Sequence, residues 1–164
     1  MPINVIDFSE DVVVGGVLYR LFKDLFEYSW EATVLANTSS SPVTVSIQAD
    51  SDFIAVKGVA SMYQNVAGRT HIEYQDMTVL VTDSGSGRNL MDKAAAIRHI
   101  CGHPQEPVIY QPPKPFVANS VVSVTFTNNS NQDTIVRATM IGYKLYRENR
   151  GAAIPQGAVN VQRR

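Results

Sequence analysis

The stretch "DSGSGRNLMDKAAAIRHICGH", residues 83–103, gathers residue types that chemistry uses. It has a glycine-rich loop ending in Arg88, an acid at Asp92, and His99, Cys101 and His103 at alternate positions. A phosphate cradle needs a lysine followed by Ser or Thr after its last glycine, between a strand and a helix. Arg88 and Asn89 stand in those places, and no parallel α/β pattern surrounds them. Structural zinc takes four ligands in two pairs. The chain has one further histidine, His71, and no second cysteine, so a metal would need ligands from another subunit. A nucleophilic thiol needs a helix N-terminus or a cationic pocket to lower its pKa, and the sequence around Cys101 offers neither. No pair of acids stands out as a catalytic couple. "SGSG" therefore reads as a flexible turn that redirects the chain. The expectation is a protein that is not an enzyme, with no catalytic residues, no cofactor and no metal.

The elements that would position this stretch are mostly strands. In "VVSVTFT" (121–127), Val122, Val124 and Phe126 fall on one face and Ser123, Thr125 and Thr127 on the other, the period-2 pattern of a half-buried strand. After the turn-forming "NNSNQD" (128–133), Val136, Ala138 and Met140 alternate with Arg137 and Thr139, and Gly142 interrupts the pattern as a bulge would. The two runs are expected to form a long antiparallel hairpin with one shared apolar face. "WEATVLAN" (30–37) and "PVTVSIQAD" (42–50) read as a second hairpin, with Val43, Val45 and Ile47 inward. "DFIAVKGVASMY" (52–63) is β-rich with a weaker alternation, and "RTHIEYQDMTVLVT" (69–82) changes phase between Tyr74 and Met77. Strands bounded by turn chemistry at this spacing indicate an all-β sandwich or barrel.

Two segments depart from strand character. "VLYRLFKDLFEY" (17–28) sets Val17, Leu18, Leu21, Phe22, Leu25 and Phe26 at helical spacing, which predicts an amphipathic helix. "RNLMDKAAAIRHICG" (88–102) allows a short helix that stops at Gly102. The proline-dense run 103–116 is expected to be extended and away from the centre of a sheet.

At 164 residues the chain fits one domain with a core that needs no staple. The start carries acids where a secretion signal carries lysine or arginine, and no apolar run approaches a membrane span. One cysteine excludes an internal disulfide. From Arg147 onward, Arg147, Arg150, Arg163 and Arg164 face the lone acid Glu148, so the tail carries about +3 and the body about −4. Such a tail reads as a plain C-terminal fray or, more sharply, as an arm for an acidic neighbouring protein or nucleic acid, and four arginines without interleaved aromatics make a poor nucleic-acid signature. The expected organisation is an N-terminal arm or amphipathic helix over 1–29, a β-sandwich over 30–146 and a basic C-terminal arm over 147–164.

From "DFIAVKGVA" through "MTVLVTDSGSGRNLM", the "I…G…P" segment, "PKPFVANSVVSVTFTN" and "VRATMIGYKL", roughly residues 52–146, the chain resembles small virion structural proteins of tailed bacteriophages. The resemblance implies an antiparallel jelly-roll-like β-sandwich with one or two short helices and extended terminal arms. It implies a capsid cement or decoration protein, made in the host cytoplasm and carried in the virion. Its partners would be the major capsid protein, other virion proteins and copies of itself, with neither membrane nor nucleic acid. In that setting Arg88 and the four tail arginines are the expected assembly contacts. The alternatives are a head–tail, vertex or tail-fibre component, or a carbohydrate-binding β-sandwich. The last needs exposed aromatics on one face, for which Trp30, Tyr63, Tyr74 and Tyr110 are available.

Overall fold

The alternating runs do become strands, and they build two facing antiparallel sheets. The computed structural model describes residues 9–14, 17–68, 70–72, 76–85 and 88–147. In chain order the strands begin with β1 (Ser9–Val14), β2 (Val17–Val34), β3 (Thr38–Ser39), β4 (Val43–Ser46) and β5 (Asp52–Gln64). They continue with β6 (Met77–Asp83), β7 (Arg88–Asn89) and β8 (Ala95–Ala96), then the single helical turn α1 (Ile97–Ile100). The last three are β9 (Val108–Phe116), β10 (Val121–Asn128) and β11 (Thr134–Arg147). The first sheet runs β1-β2-β11-β5-β9. In the second, β10 and β6 are central, flanked by β3 and β4 on one side and by β7 and β8 on the other. The protein is an all-β sandwich.

The pairing is nested. β2 pairs with β11, β4 with β10, β5 with β9, and β6 with β7 and β8, each pair enclosed in sequence by the one before. Successive pairs fall in alternate sheets, and the ladders β11·β5 and β10·β6 then join them side by side.

This topology corrects both expected hairpins. β10 and β11 belong to opposite sheets, so "NNSNQD" is an arch across the sandwich. Asn128, fully buried, holds that arch: its amide donates to the carbonyls of Val34, Leu35 and Gln132 at 3.2, 3.3 and 2.8 Å and its Oδ1 accepts from the Ser130 N–H at 3.0 Å. The expectation about the core survives the change. Val122, Val124, Phe126, Val136, Ala138 and Met140 are all buried in one apolar cluster, contributed from its two sides. Likewise β2 and β4 lie in different sheets, so residues 35–42 cross between layers, while Val43, Val45 and Ile47 do face the core. Trp30 spans the layers, its indole N–H donating to the Val122 carbonyl at 3.2 Å.

The helix expected over 17–28 is a strand. Pairs of adjacent apolar residues give it helical spacing, but β2 has a ladder on either side: β1 along residues 17–22, and β11 from Tyr19 to Val34. Along its later half, Tyr28, Trp30 and Val34 alternate inward, and this burial overrides a weak helical preference. β2 runs without a break across residue 29. The helix expected within 88–102 shrinks to the four residues of α1. No side chain caps it at Ala96, and Ala95 and Ala96 instead extend the edge of β6.

The proline-dense run is extended and forms the edge strand β9, where its prolines withdraw no donor from a central ladder. The bulge signalled at Gly142 lies there, with the extra residue on the facing strand: Ile141 pairs with Lys57 and Gly142 with Ala55, leaving Val56 over. Below that point Phe53 and Ala55 face inward, and above it Gly58, Ala60 and Met62, so the bulge accounts for the weak alternation of β5. The phase change expected between Tyr74 and Met77 adjoins residues 73–75, which lie outside the described residues.

Candidate functional site

The 83–103 stretch is built as a turn and a plug. β6 ends at Asp83 and β7 returns beside it, Arg88 pairing with Asp83 and Asn89 with Thr82. The Gly85 N–H donates to Asp83 Oδ1 at 3.0 Å, and the Val121 N–H donates to Ser84 Oγ at 2.8 Å, tying the turn to the start of β10. Gly85 lies flat on Ser120, and a β-carbon there would collide with the Ser120 side chain. A strand follows the glycines where a phosphate cradle needs a helix. Beyond the turn, Leu90 and Met91 pack on the core, and Ile97 and Cys101 close its margin.

The alternate residues His99, Cys101 and His103 diverge. His99 is exposed on α1, Cys101 is buried, and His103 turns toward His71. The His71 and His103 rings meet edge-on at 5.7 Å, and His71 meets Tyr63 the same way at 5.6 Å. Among the described residues, no three of His, Cys, Asp and Glu converge as metal ligands. The Cys101 thiol lies against Tyr110, whose hydroxyl donates to the Ile100 carbonyl at 3.0 Å. Burial pushes the thiol up to about 12, against a smaller opposing effect of the Tyr110 hydrogen bond, a shift that favours the protonated thiol at neutral pH. Burial also raises the Tyr110 phenol, as does its contact with Cys101. Gly58 makes room for this pair: a β-carbon there would strike the Tyr110 hydroxyl and lie 2.6 Å from the Ile100 carbonyl oxygen.

A polar knot that sequence reading missed sits at the other end of the β5–β11 ladder. Lys144 lies over the Phe26 ring at 4.4 Å and donates to Gln48 and, at 3.1 Å, to Asp50. From Phe26 a chain of ring contacts leads inward: Phe26 meets Tyr28 edge-on, Tyr28 meets Phe53 edge-on, and Phe53 stacks on Phe116. Burial acts to raise the Asp50 pKa, but hydrogen bonds from Lys144 and Ser51 and the Lys144 charge outweigh it and hold the carboxyl below its usual value. The pair therefore stabilises the fold above the ordinary carboxylate range, and that contribution is lost as pH falls through the depressed value. Asp50 is half-exposed, so the contribution is small. The available signal was Lys144 itself, a charge in phase with the inward-facing Val136, Ala138 and Met140.

Of the expected assembly contacts, Arg88 lies in β7 at an edge of the second sheet, and Arg147 ends β11, paired with Tyr19. Arg150, Arg163 and Arg164 lie outside the described residues. Of the aromatics that a sugar platform would need, Trp30 and Tyr110 are interior, Tyr63 packs on His71, and Tyr74 lies outside the described residues. No family model and no curated protein matches the chain.

Proposed function

We propose that this chain is a structural protein of a bacteriophage virion, a capsid cement or decoration protein that binds the head lattice through protein–protein contacts. The observation that carries the reading is the nested pairing. Four antiparallel pairs wrapped alternately into two sheets support a jelly-roll reading of the sandwich, an architecture used by viral capsid and lectin domains. The described polar clusters support it further: the 83–103 turn, the Cys101–Tyr110 pair and the Lys144 knot are each occupied by internal contacts. The lectin alternative is weakened by the interior positions of Trp30 and Tyr110. A vertex or head–tail position would use the same fold at lower copy number.

In this reading the basic tail adjusts binding. Exposed ion pairs contribute about 0–1 kcal/mol each, so the sandwich supplies most of the affinity. A chain ending at Arg147 keeps the whole β2·β11 ladder and should melt with the parent. It should bind purified heads more weakly, and the difference should shrink as salt screens the tail's charge. Failure of the full chain to co-sediment with heads at any salt concentration would overturn the proposal.

A further inference from the structure

The two outer faces of the sandwich differ in chemistry. The first sheet turns Glu27, Glu31, Arg137 and Lys57 outward, with Arg137 paired to Glu31. The second sheet presents Thr78, Leu80 and Thr82 of β6 beside Ser123, Thr125 and Thr127 of β10, all partly exposed and in lateral register. β4 continues this face with the exposed Thr44 and Ser46. Among the described side chains in the strands of this sheet, the one charged group is Asp83, which is buried. A chain with 14 basic and 15 acidic residues has kept them off the part of this outer face that β4, β6 and β10 present; the side chains of Arg88 and Asn89 in the edge strand β7 lie outside the described residues.

We infer that the outer face of the second sheet is a self-association surface, whose partner is the same face of a second copy of this chain. Three physical properties select that occupant. A face without charge meets its own copy with neither like-charge repulsion nor an ion to desolvate, and depletion of charge is the mark of an interface core. Each Ser and Thr hydroxyl both donates and accepts, so a hydroxyl face is complementary to itself across a two-fold axis, as an ammonium or carboxylate face is not. Short side chains also lose little rotamer freedom on contact. A charged or strongly acidic partner would gain nothing here.

Four strand positions about 4.8 Å apart and roughly seven residues long give a flat area on the order of 500 Å² per copy. A standard interface takes about 800 Å² per partner, so association should be weak and concentration-dependent in free solution. The inference rests on the expectation of a homo-oligomer and not on the lattice reading, so either can fail alone.

The test is sedimentation of the full chain from about 1 µM to about 500 µM, a range that brackets weak association. The parent should pass from monomer to dimer. Thr125→Lys and Thr78→Lys, each placing like charges face to face, should weaken that step at least about tenfold, whereas Thr33→Lys, exposed on the first sheet, should leave it unchanged. A readout without substitution uses hydroxyl-radical footprinting: Leu80 should be protected at high concentration while Leu25, 58% exposed on the first sheet, is not. A parent that stays monomeric throughout overturns the inference. So does an oligomer in which Leu80 labels as in the monomer, or in which well-folded Thr125→Lys and Thr78→Lys associate as the parent does.

Discussion

Val124→Asp should cost at least about 3 kcal/mol and lower the melting temperature by roughly 6–12 °C. Val124 is 1% exposed on β10, and its neighbours Val122 and Phe126 on that face are equally enclosed. A carboxylate there has apolar side chains from both sheets around it and no cation to pair with among the described residues of that cluster. The same change one residue along, Thr125→Asp, turns its charge toward solvent and should stay within about 1 kcal/mol of the parent. The contrast between adjacent positions is the sharpest available probe of register. Equal melting of the two variants would mean that β10 presents its other face to the core.

Gly142→Ala is the second large effect. A β-carbon at Gly142 would collide with the Ile54 carbonyl oxygen and lie 2.8 Å from Ala55 Cα, both backbone atoms of the neighbouring strand. Side chains can rotate away from a clash, but a paired strand cannot move without breaking its ladder. The bulge at Val56 draws the β5 backbone close at this point. The added methyl should cost about 2–3 kcal/mol and lower the melting temperature by roughly 5–10 °C. Gly68 gives the comparison: its φ is +101° but nothing surrounds it, so Gly68→Ala should lose only about 1 kcal/mol from backbone strain. If Gly142→Ala is as mild as Gly68→Ala, β5 and β11 do not approach as described.

These two sites show how far the sequence could be read. Alternation in residues 121–127 and 136–140 identified the core faces correctly, because period 2 records which side of a strand meets water. It could not tell whether the polar turn between them joins neighbours in one sheet or opposite members of two. That choice is made by Asn128, whose buried amide bonds to carbonyls at the end of β2, far away in sequence. The 17–28 segment was misread for a related reason. Its apolar doublets satisfy a helical template, while the ladder that makes it a strand comes from β11, more than a hundred residues on. A local signal was available in "VVVGGVLY": Val14 pairs with Val17 across two glycines, a standard hairpin closure. In the 83–103 stretch the glycine-rich turn was legible from "SGSG", because glycines and serines after a strand mark a change of chain direction. The neutral face of the second sheet was not legible, since its threonines come from segments that become neighbours only when the nested pairs wrap.

The proposal that this chain serves by covering other proteins and not by transforming a ligand is tested most directly by counting it. On the proposed reading, quantitative mass spectrometry of purified phage particles that carry the chain should find it in hundreds of copies per head, in fixed proportion to the major shell protein, as symmetric lattice occupancy demands. A few dozen copies would move it to a vertex or tail position. Its absence from purified particles, while abundant in the infected cell, would contradict the account.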